Sequence, residues 1–567
     1  MSAGIAPIVE TTAEVTPVEQ PMPLDNVLNQ KNALGPSSPL GSDSDICPDS
    51  ALKQHIALDK DSALDRNLSQ ENTEPARVPA DSREATDALA WQTRTVRGGK
   101  WIFAARVVQI LCTLAVQLVL SRQLSQADYG MFNVACATTL FLAIMIMGGL
   151  NYAAVRVLPG FLVDKQTAAI QRFLRGGYLT LAASTLLTMG GIWLSRSYLP
   201  IVNRFSAELL VVVLCGATLM AWQQFTVEAL RGMHDLRSAA LFHGGKTNGA
   251  FSSLILVCAI LLWPLLIGGS SLLSTIWLYT AAIGLTLPMV GWLLWYHVRQ
   301  LPPATDKNTP QDPLADSIPS ASHVRDSQPL SPPGPPRLWP LALSFLLLQV
   351  LAFLQGEAEL WLAFAAWGAN SPDLGLYSAA RWIIILISLP LTMINQTISP
   401  SIVDLRARGN LSELQRLLRG AAFAAGIPSL LALAGICLFP GLTLSIFGDY
   451  QSAAWPLFIL AVGQFFYFWT GSAGITLMMS GHEWTILAIN VLSAALLLIA
   501  GAWGAAHYGM TGLAVVSSSV TALMNLAQWL AVWRLEGLWT HFSLAQAQPA
   551  WVFARRQLQK FRSPPVN

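Results

Sequence analysis

The chain has 567 residues, of which 53% are hydrophobic and only 12% are charged, and its mean hydropathy is +0.48. This composition excludes a set of soluble domains and indicates an integral membrane protein. The formal net charge is only +2, and the six cysteines stand far apart with no CxxC pair. These features exclude a strongly cationic nucleic-acid-binding domain, a disulfide-stapled secreted fold and a cysteine metal site. We therefore expect no nucleic-acid partner, no metal and no organic cofactor.

Residues 1–95 are predicted to form a disordered, acidic cytoplasmic tail. They hold 15 acidic and 7 basic side chains, and residues 1–90 contain no Phe, Tyr or Trp. Such a segment buries too little apolar surface to offset its chain entropy. A second polar segment, residues 301–338, contains ten prolines and is predicted to be an extended cytoplasmic linker. Residues 541–567 are predicted to be a basic cytoplasmic tail.

Twelve apolar runs of membrane-crossing length lie between these segments, six on each side of the linker. They fall near residues 101–121, 131–151, 177–198, 207–227, 249–268, 274–297, 340–366, 377–399, 419–440, 453–478, 484–505 and 510–533. The runs are continuous rather than alternating, which excludes a β-barrel. The predicted fold is an all-α integral membrane protein with about twelve transmembrane helices in two six-helix lobes, at residues 96–300 and 339–540.

The distribution of Lys and Arg predicts the orientation. Twenty-three Lys and Arg side chains fall in or beside the loops on one side of the membrane, and four fall on the other. Because loops rich in Lys and Arg stay in the cytoplasm, we expect both termini and the linker to be cytoplasmic.

The two halves repeat short segments at nearly constant spacing. Residues 125–132 (SQADYGMF) follow the first run and residues 371–377 (SPDLGLY) follow the seventh, with Gly130 and Gly375 offset by 245 positions. Residues 172–176 (RFLRG) recur as residues 416–420 (RLLRG), at an offset of 244. Six spans separate the copies, so both halves have the same orientation, and we expect a parallel repeat with a pseudo-twofold axis along the membrane normal.

Three segments resemble a known family. Residues 120–132 (LSRQLSQADYGMF), 375–381 (GLYSAAR) and 446–450 (IFGDY) are similar to loop motifs of the Wzx-like polysaccharide flippases, a branch of the multidrug/oligosaccharidyl-lipid/polysaccharide exporter (MOP) superfamily. The resemblance covers residues 95–540. It implies two lobes around a central cavity, a bacterial inner-membrane location and transfer of undecaprenyl-diphosphate-linked oligosaccharide to the outer leaflet. The partners it implies are that lipid-linked glycan, membrane lipids, a polysaccharide polymerase and other assembly proteins.

Three arginines are the candidate substrate-binding cations. Arg106 lies inside the first span, Arg381 inside the eighth, and Arg156 at the end of the second. A guanidinium binds phosphate oxygens bidentately and keeps its proton, and ionisable groups inside spans are functional candidates because their burial is costly. The alternative for each is that it extends to the nearest membrane surface.

The seventh span contains Gln355, Glu357 and Glu359. At 100° per residue, Gln355 and Glu359 lie about 40° apart and Glu357 about 160° from Gln355. We assign Gln355 and Glu359 to the cavity, with Glu359 as the carboxylate that couples transport to H⁺ or Na⁺. Glu357 is the second ion-coupling candidate, and we expect it to contact a neighbouring helix or to accompany a distortion at Gly356. A structural hydrogen bond is the alternative role for the cavity glutamate.

Several uncharged polar side chains in spans could bind sugar hydroxyls or join helices. They are Gln223, Gln224, Asn395, Gln396, Gln464, Asn525 and Gln528. The sequence also leaves other functions open: a drug exporter of the multidrug and toxin extrusion (MATE) type, a lipid II flippase, a membrane-embedded glycan polymerase or ligase, and a structural scaffold. No P-loop is present and the outer loops are short, so we expect a transporter rather than an enzyme.

Overall fold

The computed structural model describes residues 104–163, 166–196, 198, 200–242, 249–267, 270–301 and 338–543. Within these ranges the regular structure is helical and no strand occurs. The helices are α1 (Ala104–Gln123), α2 (Gln126–Met147), α3 (Leu150–Val163), α4 (Thr167–Ser195), α5 (Pro200–Asn203), α6 (Ala207–Gly232), α7 (Leu236–Phe242), α8 (Ala250–Ile267), α9 (Leu272–Gln300), α10 (Leu338–Trp367), α11 (Pro372–Ala407), α12 (Leu411–Leu438), α13 (Pro440–Ser445), α14 (Ala454–Thr470), α15 (Ala473–Met479) and α16 (Glu483–Glu536).

The described helices fall on all twelve predicted apolar runs. Ten of them are long and apolar enough to cross a membrane. The longest, α16, has 54 residues and consists of two helices that meet at Gly509, where the backbone is not helical, so it supplies two crossings. The apolar helix α8, with 18 residues, is not among these ten and lies on the fifth predicted run. The protein is therefore a multi-pass membrane protein, and the predicted all-α fold is confirmed.

Several helices extend beyond their apolar runs. The helix α4 begins at Thr167, ten residues before the predicted run at 177, and α11 continues to Ala407. With 29 residues, α4 is about 43 Å long, whereas the hydrocarbon core is about 30 Å thick. Hydropathy detects only the part of a helix that lies in hydrocarbon, so it misses polar turns in the headgroup region.

The second predicted span is interrupted. Between α2 and α3, Gly148 and Gly149 both have positive φ angles, 55° and 83°. A methyl group on Gly149 would also collide with the backbone carbonyl of Ala342 in α10. Glycine is therefore required here both by the backbone conformation and by the close approach of α10. The corresponding eighth span, α11, runs without a break.

Helices of each half pack mainly against helices of the same half. Between the halves, α2 contacts α10 and α11, and α3 contacts α10. Of the predicted linker only the end residues 301 and 338 are described, and of the predicted tails only residues 541–543, so the domain boundaries at 95, 301, 338 and 540 stay predictions.

The helices that follow the repeated loops begin in the same way. The Ser125 hydroxyl accepts a hydrogen bond from the Asp128 amide at the start of α2, and the Ser371 hydroxyl accepts one from the Asp373 amide at the start of α11. Serine is a favoured helix N-cap, and an aspartate in the first turn interacts well with the helix dipole.

The three segments of the family resemblance meet between the two halves. The Ser121 hydroxyl donates to the Phe447 carbonyl at 2.7 Å, and the Arg122 guanidinium donates to the Ile446 carbonyl at 2.8 Å. The Tyr450 hydroxyl in turn donates to the Ser121 carbonyl at 3.2 Å. Burial raises the pKa of the Tyr450 phenol, which keeps it a neutral donor. We call this region, residues 120–132, 375–377 and 446–450, the seam.

At the seam, α2 and α11 approach each other closely at two glycines. A methyl group on Gly375 would collide with the Gln126 carbonyl, and one on Gly130 would meet the backbone of Gly375. Neither glycine has a positive φ, so close helix contact is the reason for both residues.

We predict that Gly375→Ala destabilises the protein by about 1–3 kcal/mol, because the new methyl group forces two backbones apart. Thermal unfolding of the detergent-purified protein measures this change. Gly435→Ala is the matched control, because a methyl group there meets nothing within 4 Å. Equal unfolding temperatures for the two variants would contradict the close crossing.

Candidate functional site

A cavity of about 350 Å³ lies between the two halves. Helices α1, α2, α8 and α9 form one wall, and α10 and α11 form the other. Most of the lining is apolar, but both walls carry charge: Arg106 comes from the first half, and Glu357 and Arg381 come from the second. The described lining therefore presents two cations and one anion to the same space.

The polar side of α1 faces this cavity. Arg106, Gln109, Thr113 and Gln117 all line it, at spacings of three, four and four residues. This spacing places them on one helix face. Sequence reasoning considered Arg106 alone and missed the other three, although the helical period of the polar residues was a usable signal.

Arg381 is the most highly connected charge at the cavity. Its guanidinium lies 3.0 Å from the Glu357 carboxylate and 3.7 Å from that of Glu359, and it also donates to the Gly356 carbonyl. Its side chain is only 13% exposed. A guanidinium held away from water requires such partners. Glu357 thus contacts a neighbouring helix, α11, which is one of the two roles expected for it. The other, a distortion at Gly356, is not observed, because α10 continues through that residue without a break.

The predicted facing of the two glutamates is wrong. Glu357 lines the cavity, whereas Gln355 and Glu359 are absent from its lining. Gln355 and Glu359 do share a face of α10, as their spacing predicted, but that face packs against α16: the Gln355 amide donates to the Asn490 carbonyl at 3.3 Å, and Ser517 donates to Glu359. Helical spacing gives the angle between side chains and not the direction of the lumen.

Glu359 is a buried and fully engaged carboxylate. One oxygen accepts the Tyr377 hydroxyl at 2.8 Å, the other accepts the Ser517 hydroxyl, and Arg381 lies nearby. These partners come from α11 and α16, so Glu359 joins three helices. This geometry matches the structural alternative for Glu359.

Arg106 and Arg156 have different surroundings. The Arg106 guanidinium donates to the neutral Gln109 side chain at 2.8 Å, at the cavity surface. Arg156 is exposed in α3 and does not line this cavity, so its role in substrate binding stays a prediction. Its place near the end of the second span suits the alternative of a cation at the membrane surface.

Sequence reasoning also missed a hydrogen bond in the cavity wall. The Trp382 indole donates to the Asn133 side chain at 2.8 Å, and Asn133 donates to the Tyr129 carbonyl at 2.8 Å. Both Trp382 and Asn133 line the cavity. This hydrogen bond joins α11 to α2, so it connects the two halves at the cavity wall.

None of the seven uncharged polar candidates lies in the described cavity lining. Gln223 donates to Ser252 and Thr286 at 3.1 and 2.8 Å, and Gln528 donates to Asn490 at 3.0 Å. For these two residues, the contacts are those of side chains that join helices.

Comparison with solved structures identifies the fold. The chain is similar to an inward-facing multidrug-resistance MATE family transporter of the MOP superfamily, at 14% identity and a TM-score of 0.55, over 76% of this chain and 96% of that one. It is also similar to the lipid II flippase MurJ in an inward closed conformation, at 10% identity and a TM-score of 0.50, over 77% of this chain and 87% of that one. No protein family model and no curated protein sequence matches the chain. The protein has the fold of the MOP-superfamily transporters, with its cavity between the two halves.

We predict that Glu359→Ala lowers the free energy of unfolding by about 3 kcal/mol, because it removes one side of a buried charge pair. Thermal unfolding of the purified protein is the measurement. Gln355→Ala is the control on the same face; it removes a neutral hydrogen bond, and we expect a loss of about 1 kcal/mol. A Glu359→Ala protein as stable as the control would show that the carboxylate has no structural role.

Proposed function

We propose that this protein moves an undecaprenyl-diphosphate-linked oligosaccharide from the cytoplasmic to the outer leaflet by alternating access. One observation carries the proposal: Arg106 and Arg381, from opposite halves, line the same cavity. A diphosphate is the part of such a substrate that guanidinium groups bind best. The likeness of residues 120–132, 375–381 and 446–450 to Wzx-like flippases supports the same substrate class.

Arg106 is the first contact for the diphosphate. Among the described residues its guanidinium pairs with an amide and not with a carboxylate, so its positive charge is available to an anion. Gln109, Thr113 and Gln117 extend from it along α1 and line the same cavity. Their amide and hydroxyl groups can hydrogen-bond sugar hydroxyls next to the diphosphate.

Glu357 is the group that couples transport to an ion. In this structure the Glu357 carboxylate forms an ion pair with the Arg381 guanidinium on the cavity side. Binding of H⁺ or Na⁺ to Glu357 weakens that pair and frees Arg381 for the substrate phosphate. An ion that binds one state better than the other shifts the equilibrium between them. Glu359, which the sequence favoured for this role, is held by Tyr377 and Ser517 instead.

The protein acts in the bacterial inner membrane with both termini in the cytoplasm. The excess of Lys and Arg in loops on one side supports this orientation. In that orientation the seam lies at the outer side and the first residues of α1 lie at the cytoplasmic side. A polysaccharide polymerase and other assembly proteins are the expected partners.

The alternatives are export of cationic drugs and translocation of lipid II. Solved structures of a multidrug-resistance transporter and of a lipid II flippase share the fold. The described lining disfavours cationic drugs because it holds two arginines and one glutamate. That glutamate, Glu357, is already paired with Arg381. Lipid II also carries a diphosphate, so transport assays must separate it from other lipid-linked glycans.

The test is transport in proteoliposomes. A fluorescent undecaprenyl-diphosphate sugar is followed from the inner to the outer leaflet, with lipid II and ethidium as competing substrates. We expect Arg106→Ala to lower the rate by at least about tenfold, because a charged hydrogen bond to phosphate is lost. Arg156→Ala is the matched control and should transport normally. Efflux of ethidium without movement of the lipid-linked sugar would establish the drug exporter instead.

Ion coupling is tested in the same vesicles with imposed pH and Na⁺ gradients. We expect Glu357→Gln to transport at a rate that no longer depends on either gradient, since the amide cannot change charge. Glu359→Gln, when folded, should retain the dependence of the wild type. If Glu359→Gln loses the dependence on the gradients and Glu357→Gln keeps it, Glu359 is the coupling carboxylate instead.

A further inference from the structure

The repeated RFLRG and RLLRG segments occupy the same register in two helices. Arg172 and Arg175 are the sixth and ninth residues of α4, and Arg416 and Arg419 are the sixth and ninth residues of α12. None of the four lines the cavity, so the proposed transport site does not explain them.

In α4 the arginine pair begins an exposed apolar face. At 100° per residue, Arg172, Arg175 and Gly176 lie within about 100° of one another. Leu179 and Leu186 fall within the same arc, and they are 72% and 73% exposed. Two guanidinium groups therefore stand at one end of a row of outward-facing leucines.

The same arrangement recurs in α12. Arg416 and Arg419 share an arc of about 120° with Leu430, Leu431 and Leu438. These leucines are 38%, 69% and 71% exposed. The duplication shows that the arrangement is not particular to one half.

The length of α4 indicates where Arg172 and Arg175 stand relative to a membrane. From residue 177 to its end at Ser195, α4 has 19 residues and a length of about 28 Å. That length matches the hydrocarbon core of about 30 Å. Arg172 and Arg175 precede this stretch, so a hydrocarbon core that covers residues 177–195 would place them at the level of the lipid phosphates.

A glycine follows each arginine pair without a packing reason. A methyl group on Gly176 or Gly420 would meet nothing within 4 Å, and neither glycine has a positive φ. Alanine is the better helix former at such a position. The missing side chain leaves room beside the guanidinium groups for a molecule outside the protein.

No carboxylate of α4 itself offsets the positive charge of Arg172 and Arg175. The sequence of α4 contains no Asp or Glu. In α12, Glu413 precedes Arg416 by three residues and accepts a hydrogen bond from Asn410 at 2.8 Å. Within its own helix, the α4 pair therefore has the greater excess of positive charge of the two.

We propose that the exposed faces of α4 and α12 each bind one anionic phospholipid. Its phosphate contacts the arginine pair, its glycerol lies over the glycine, and an acyl chain lies along the leucines. A guanidinium takes phosphate oxygens in bidentate geometry, and the collinear apolar row selects a lipid over a free phosphate. This site is separate from the cavity, so it stands or falls independently of the transported substrate.

Native mass spectrometry of the detergent-purified full chain with phosphatidylglycerol tests the proposal. We expect the Arg172→Ala/Arg175→Ala variant to lose the tighter lipid, with a roughly thirtyfold rise in its apparent Kd for two surface arginines. Arg237→Ala, an exposed arginine of α7, is the matched control and should bind like the wild type. Equal binding by the double variant and the control would overturn the α4 site.

A second variant separates a shaped site from general charge attraction. Gly176→Leu keeps both arginines and fills the space beside them, so we expect weaker phosphatidylglycerol binding with an unchanged or higher unfolding temperature. If the folded Gly176→Leu protein binds phosphatidylglycerol as tightly as the wild type, the space beside the glycine is not part of a lipid site, and the proposal is overturned. Phosphatidylcholine should bind the wild-type protein at least about tenfold more weakly than phosphatidylglycerol does. Displacement of the lipid by millimolar inorganic phosphate would show that the guanidinium groups alone bind, and would overturn the lipid assignment.

Discussion

The pairing of the Arg381 guanidinium is the interaction on which the cavity side of the second half depends. A charge inside a membrane protein is costly unless it is paired and hydrogen-bonded. Here α10 supplies both carboxylates and a backbone carbonyl to the arginine of α11. Glu359 then extends the contact to α16 through Ser517. Three helices are held in one arrangement by a single charge, and the same arrangement turns Glu357 toward the lumen.

The all-α membrane fold and the order of its apolar helices could be predicted from the sequence, because in a membrane the apolar run is itself the structural requirement. Helix ends could not, because α4 and α11 extend past the hydrocarbon into regions where hydropathy carries no signal. The break at Gly148 and Gly149 was also missed. A pair of glycines in an apolar run is compatible with a continuous helix, and the close approach of α10 to Gly149 is a packing feature that the local sequence does not encode.

The candidate site was predictable in part. Arg106 and Arg381 were chosen as buried charges, and both line the cavity. The arc shared by Gln355 and Glu359 was correct, but its direction depends on the packing of α10 against α16, which no local pattern encodes. The polar stripe of α1 was available in the sequence as Gln109, Thr113 and Gln117. It was missed because the search considered ionisable groups one at a time rather than by helical period.

The polar contacts of the seam set a condition on any separation of the two halves. Its hydrogen bonds join the Ser121 hydroxyl and the Arg122 guanidinium to carbonyl groups of the other half, and the Tyr450 hydroxyl to a carbonyl of the first. If the halves part, as the proposed alternating access requires, each of these groups needs a new partner, and hydrocarbon offers none. Water would have to enter as the contact breaks. Lipid tails could not replace the lost contacts, so an opening at this end would have to face an aqueous phase.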